Sequence, residues 1–244
     1  MLPEWLTPQA IELLWRGLVL TLVVTAITTA GSLLLGIFVG TMRLTGKPIV
    51  SRLSRIYIEI HRNIPALVLV IFWAFAVPNI FPQSLRQQIF FNNQFFDQIS
   101  ELTGISLPYY LFAGMLGLTL NTSGYLAELF RAGASTIPAD QIDSARSLGA
   151  SRWTIFWKIL LPDGFRAAFP TISTRLIHNF KNTSLVSLVA VPVFFHGVQG
   201  SINKTFRATE FLLLAAVVYL ILTALLAWLL RSIESRYFGR VTGV

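Results

Sequence analysis

Arg175, His178 and Lys181 lie within the apolar run Phe165–Pro192. A charge within a membrane-length segment is costly and normally faces a protein interior or water. Thr171, Arg175, His178 and Asn182 recur at intervals of four, three and four, the spacing of one helical face, with Thr174 and Lys181 beside it. A cationic face of this kind suits a carboxylate, and it is a candidate lining for a translocation route. Asn121, Tyr125 and Glu128 share a face in the same way. Glu128 can meet an ammonium group or pair with Arg131. Each of these residues also has a packing explanation. Arg175 and Lys181 can snorkel to an interface, His178 can be a hydrogen-bonded packing residue, and Asn121, Thr183 and Ser184 can bond between helices. Arg62 can pair with Glu59 or sit at a cytoplasmic gate.

Other chemistry finds no residues to carry it. Cysteine is absent and there are three histidines, so neither a disulfide framework nor a metal-ligand cluster is expected. A phosphate-cradling loop needs two glycines with four residues between them, then Lys and a hydroxyl. The nearest approach, Gly40 to Pro48, has five residues between its glycines and ends Lys47-Pro48. No nucleotide site is expected on this chain.

The elements that must position these residues are membrane helices. Mean hydropathy is +0.66 and 12% of residues are charged, about half the share of a soluble domain. The surplus apolar surface faces lipid. The net charge of +8 therefore reads as basic residues sorted to one side of a bilayer, not as a nucleic-acid surface. The N-terminal segment lacks the basic start and small-residue cleavage site of a signal peptide, so the first apolar run is expected to stay as an anchor. Gly17–Met42, Ile105–Ala127 and Phe211–Leu230 meet the length of a span. Ile64–Val77 is short, borrows turns from Ser54–Asn63 and is expected to kink near Pro65. Phe165–Pro192 makes the fifth. With five spans, Arg43, Lys47, Arg52, Arg55, the Arg131–Arg166 segment and the basic tail share one side. The bias puts the N-terminus outside and the C-terminus in the cytoplasm. The outer segment Pro78–Leu107 mixes aromatics with amides and reads as an interfacial amphipathic helix. Residues 1–244 form one membrane domain.

Between the third and fourth spans lies a charged, glycine-centred segment, Asp143–Pro162. Ser135 and Thr136 with Pro138 read as a helix start, with Asp140 and Asp143 in its first turns. Gly149 ends that helix through a left-handed conformation. Ser151 caps a second helix, which runs to Pro162. Ala145 and Gly149 are small enough for a partner to approach the backbone. Ile142 and Leu148 can fill a pocket, and Asp143 can pair with Arg146.

The spacing Asp143-Ser144-Ala145, Gly149, Ile159-x-Leu161-Pro162 resembles the Glu-Ala-Ala loop of ATP-binding-cassette importer permeases. Asp143 stands for the family's Glu and Ser144 for its first Ala. Three further stretches resemble the polar amino acid permeases of the His/Glu/Gln/Arg/opine type. They are Glu59-x-x-Arg62-x-x-Pro65, Asn121-Thr122-Ser123-Gly124-Tyr125-x-Ala127-Glu128-x-x-Arg131, and Lys181-Asn182-Thr183-Ser184-Leu185-x-Ser187. Asn63, Ile64 and Asn182 depart from that pattern. The resemblance covers about Gly17–Tyr237. It implies an all-α integral membrane permease of the type I importer fold, with a cytoplasmic coupling helix inside a loop at about 135–164. The protein would sit in the bacterial inner membrane and catalyse nothing itself. Its partners would be a second permease subunit, identical or paralogous, two ATPases carrying ATP and magnesium, and an extracytoplasmic amino-acid-binding protein. The coupling residues would be Asp143, Ser144, Ala145, Arg146, Leu148, Gly149 and Pro162. The substrate route would draw on Arg62, Asn121, Thr122, Tyr125, Glu128, Arg175, His178, Lys181, Asn182, Thr183 and Ser184. An importer for another small organic solute and a nucleotide-independent channel stay open as alternatives.

Overall fold

The computed structural model describes residues 5–45, 47–93, 98 and 109–238. Much of the Pro78–Leu107 segment, the first residues of the expected third span, Gly46 and the last residues of the basic tail lie outside the described residues. Helix α1 runs Pro8–Leu44 and α2 Pro48–Asn63. Helix α3, Ala66–Ile71, continues through a wide turn at Phe72–Ala76 into Val77–Asn79. Then come α4, Tyr109–Ala134, α5, Ala139–Ser147, α6, Arg152–Ile155, α7, Leu161–Asn182, α8, Phe194–Thr205, and α9, Ala208–Ile233. No strand occurs among the described residues.

Helices α1 and α9 are long and apolar enough to cross a membrane alone. Two broken pairs reach that standard together: α2 with α3, and Arg152–Val189 with α8. The first break falls where Pro65 takes the position before α3, since proline has no amide hydrogen to continue α2. Helix α4 has 26 residues, about 39 Å at 1.5 Å per residue, but its Asn121–Ser123 stretch dilutes its apolar character. Within α1, hydroxyls bond back one turn: Thr21 to the Gly17 carbonyl at 2.8 Å, Thr25 to Thr21 at 2.7 Å and Thr28 to Val24 at 2.8 Å. Each thereby brings its own partner into apolar surroundings.

The chain divides into two compact units. The first comprises the described residues of Met1–Ala30, Ile64–Asn121 and Asn179–Ile221. Its core is a valine-rich cluster of Val24, Val70, Leu118, Val186, Val189 and Val191, with a second around Leu14, Phe194, Val198 and Phe211. Gly117 brings α4 close to α3: a Cβ there would lie 2.9 Å from the Val70 backbone. Polar ties reinforce this unit. The buried Asn179 donates to Thr28 at 2.9 Å and Thr29 at 3.3 Å, and the Phe194 amide donates to Thr21 at 2.9 Å.

The second unit comprises the described residues of Gly31–Asn63, Thr122–His178 and Leu222–Val244. Leu126, Ala168, Ile172, Leu176 and Leu230 form one core, and Val39, Ile58 and Ala127 another. Gly36 and Gly40, one turn apart on α1, pack against Ser123, Leu126 and Ala127 of α4.

Two expectations about the hairpin are corrected. Ser135 and Thr136 do not cap α5. Their hydroxyls bond back to the Ala132 and Gly133 carbonyls at 2.7 and 2.8 Å, closing the end of α4, and Pro138 occupies the position before α5 with no side-chain cap. The second helix also does not stop at Pro162. It passes through a wide turn at Phe156–Leu160 into α7, with Pro162 at its second position. Proline cannot donate to the preceding turn and its ring crowds the carbonyl four residues back; the widened turn falls where that conflict arises.

Candidate functional site

The hairpin α5–α6 turns on Gly149, whose φ is +84°. Its amide donates to the Arg146 carbonyl at 2.9 Å and the Ala150 amide to Ala145 at 3.0 Å. These two bonds close α5 in the six-to-one, five-to-two pattern that a left-handed residue permits. Ser151 then accepts from the Thr154 amide at 3.1 Å, capping α6 as its sequence position implies. Asp143 pairs with Arg146 at 3.0 Å. Both are exposed, so the pair adds little stability.

The turn presents an unusual surface. Leu148 is 89% exposed, and the indoles of Trp153 and Trp157 are 70% and 50% exposed. Nothing lies within 4 Å of the Cβ that Gly149 lacks. Ser144, Arg146 and Pro162 are exposed, and Ala145 is half-buried. Trp153 and Trp157 meet edge to face at 5.6 Å, with Phe156 at 5.3 Å from Trp157. Apolar side chains of this size, grouped on an otherwise charged hairpin, mark a contact surface for a protein or a membrane.

A second constellation centres on Tyr125 of α4. Its hydroxyl donates to the Arg62 carbonyl at 3.0 Å, one of the terminal carbonyls of α2 that has no partner within its helix. The Arg175 guanidinium of α7 lies 3.7 Å from the centre of the Tyr125 ring, and that of Arg62 at 5.5 Å. Two residues earlier on α4, Ser123 and the Tyr57 hydroxyl meet at 2.6 Å. One turn later, Glu128 holds Arg131 by two bonds of 2.7 and 3.1 Å. No ion pair joins Arg62 to Glu59; the Arg62 side chain lies beside Tyr125 instead. In the other unit, Asn121 donates to the Ile64 carbonyl at 3.1 Å.

The structure thus brings Arg62, Tyr125 and Arg175 together and keeps Glu128 with Arg131. The exposed face of α7 is Thr171, Thr174, His178 and Lys181, while Arg175 turns inward and Asn182 is half-buried. Thr122 and Thr183 are fully buried. The Thr183 and Ser184 hydroxyls bond to the Phe180 and Lys181 carbonyls at 2.6 and 2.8 Å, where α7 tightens into a narrow helix at Thr183–Val189. The ties of Tyr57 to Ser123 and of Asn179 to Thr28 are not legible from residue spacing.

Residues 32–239 match the family described as binding-protein-dependent transport system inner membrane component. The probable glutamine ABC transporter permease protein GlnP of Bacillus subtilis is 30% identical over 231 residues, 93% of this chain and 95% of that protein. The glutamine transport system permease protein GlnP of Escherichia coli is 30% identical over 227 residues, covering 93% and 94%. An arginine transport system permease of Corynebacterium glutamicum is 29% identical over 207 residues, 84% of this chain and 62% of that one. In fold, the chain is similar to an amino acid ABC transporter crystallised with histidines. The TM-score is 0.74 at 23% identity, covering 97% of this chain and all of the other. The inward-facing MetNI methionine ABC transporter gives 0.67 at 21% identity.

Proposed function

Because the chain belongs to the binding-protein-dependent transport system inner membrane components, we propose that it is the permease subunit of an ATP-driven importer of polar amino acids. Two permease subunits, this chain with a copy or a paralogue, enclose the route, since one chain has too few helices to do so. Two ATPase subunits bind ATP and magnesium, and an extracytoplasmic binding protein delivers the amino acid. Helix α4 also crosses the membrane, which with the two apolar helices and the two broken pairs makes five spans. The N-terminus lies outside and the C-terminus in the cytoplasm, as the clustering of basic residues supports.

The single observation that carries this reading is the hairpin turn, with Leu148 and two tryptophans displayed around a left-handed glycine. The ATPase takes that surface into a groove. Its closure on ATP displaces α5 and α6. Helix α6 runs through the wide turn into α7, so the displacement reaches Arg175 and the exposed Thr171–Lys181 face. Lys181 on that face attracts the carboxylate that every amino acid carries, and alternation between outward and inward access moves it across. Glutamine and arginine are the amino acids named for the relatives, which supports the substrate class without choosing a member of it.

The test is uptake of radiolabelled glutamine and arginine by proteoliposomes holding the permease, its ATPase and its binding protein. ATP-dependent uptake of either, abolished together with ATPase copurification by Gly149→Arg, is the expected result. Uptake that needs no ATP, or a Gly149→Arg complex that assembles and transports normally, overturns the proposal.

A further inference from the structure

Helix α2 has a face that the fold leaves open. Ile49, Leu53, Ile56 and Ile60 follow at intervals of four, three and four and so form one line along the helix. They are 74%, 59%, 47% and 47% exposed. To one side of that line lie Ser54, Tyr57, Ile58 and His61, which pack onto the protein: Ser54 and Ile58 are buried and Tyr57 bonds to Ser123. To the other side lie Arg52, Arg55 and Glu59, all exposed. The helix therefore has three sectors: one against protein, one bare and apolar, one charged.

The charge is strongly one-sided. From Arg43 to Arg55 the chain carries Arg43, Lys47, Arg52 and Arg55 and no acid. Arg43 donates to Ser51 at 2.7 Å, which clips the end of α1 to the first turns of α2. Helix α2 itself carries Arg52, Arg55, Glu59 and Arg62, whereas Ala66–Asn79 carries no charge. Burying four charges in hydrocarbon is far costlier than leaving them at its edge. The break at Pro65 allows the two parts to take different environments.

On the reading of the chain as an importer permease, we propose that α2 lies in the interface of the membrane and binds anionic phospholipid headgroups through Arg52 and Arg55. Its isoleucine–leucine line sinks among the acyl chains. The arginines flank that line at the height of the phosphates, where each basic residue gains from an anionic surface. The far end of this helix carries Tyr57 and the Arg62 carbonyl that anchors Tyr125. Lipid charge thus holds the helix that holds the Tyr125–Arg175 pair, and transport depends on the headgroup composition of the leaflet.

Two measurements on the assembled importer test this. In vesicles ranging from pure phosphatidylcholine to phosphatidylglycerol-rich, ATP-driven uptake by the natural chain should rise roughly tenfold with anionic lipid. Arg52→Gln/Arg55→Gln should flatten that rise, and Arg52→Lys/Arg55→Lys should keep it. A Gln variant that follows the natural lipid curve overturns the proposal, whereas no ATP-driven uptake in any lipid overturns the importer reading instead. The second measurement needs no activity. The natural chain has no cysteine, so Ile56→Cys and Arg55→Cys each carry a single nitroxide. Oxygen should quench the label at 56 better than a water-soluble nickel chelate, with the reverse order at 55. A water-exposed label at 56 overturns the assignment, and so does one shielded from both reagents and spin-coupled to a second copy.

Discussion

The guanidinium of Arg175 lies over the ring of Tyr125 at 3.7 Å, while the hydroxyl of the same tyrosine donates to the Arg62 carbonyl at 3.0 Å. One side chain thus serves α7 with its face and the end of α2 with its edge. These two functions can be separated. Tyr125→Phe keeps the ring and removes a hydrogen bond worth about 1 kcal/mol, so transport should fall only a few-fold. Tyr125→Leu also removes a cation–ring attraction of roughly 1–2 kcal/mol, and uptake should fall about tenfold or more. Initial uptake rates at fixed ATP, measured on complexes matched for ATPase content, distinguish the two.

Gly149 supports a sharper comparison, because no neighbour limits the space around it and only its φ of +84° constrains the residue. A branched side chain there costs upwards of about 1–2 kcal/mol in backbone strain alone. Asparagine visits this region more readily. ATPase copurification should survive Gly149→Asn and fail for Gly149→Val. Equal copurification of both would mean that the turn is not held left-handed in the complex.

Leu148, 89% exposed, contributes almost nothing to the fold of the isolated permease. Leu148→Glu should leave the thermal unfolding midpoint of the detergent-solubilised chain unchanged and weaken ATPase binding at least about tenfold, by loss of a buried leucine's transfer energy and burial of a charge. A midpoint that drops while binding holds would place Leu148 in the permease core.

Asn179 should behave in the opposite way. It is fully buried and bonds to both Thr28 and Thr29. Asn179→Ala removes both donors and should destabilise the chain by about 1–3 kcal/mol, read as a lower midpoint whether or not the ATPase is bound.

Gly117→Val would place side-chain atoms against the Val70 backbone, where even a Cβ sits at 2.9 Å. Backbone on both sides cannot swing away as a side chain can, so overpacking should cost about 1–3 kcal/mol or more. The readout is loss of monodisperse protein in size-exclusion chromatography, set against a well-behaved Gly200→Ala, where the nearest atom is 3.6 Å away.

Local rules make much of the hairpin legible in the sequence. Gly149, Ser151 and the Asp143–Arg146 pair each act within a few residues, so their spacing determines what they do. Ser135 and Thr136 mislead because a hydroxyl at a helix junction can bond forward or back, and only the position of Pro138 decides. Pro162 misleads because a proline usually ends a helix, and the widened turn that accommodates it has no signature of its own. The face of α7 is read one residue away from its true centre: Arg175 is drawn toward Tyr125, a partner fifty positions earlier (175 − 125). Asn179 and Thr28 lie 151 positions apart, and no periodicity connects them. Fold class and hairpin follow from pattern, whereas pairings across the chain need the packed structure.

The widened turn at Phe156–Leu160 has a mechanical corollary. Because it interrupts the geometry of the helix without cutting the rod, Arg152 and Arg175 sit on one crankshaft of 23 positions (175 − 152), about 35 Å long. A twist applied at the tryptophan end reaches the arginine by way of that turn and of Pro170, which sits inside α7. The slight underwinding at that turn sets the phase between the two ends, so inserting or deleting a single residue there would rotate one end against the other by about 100° and put torque and response out of step.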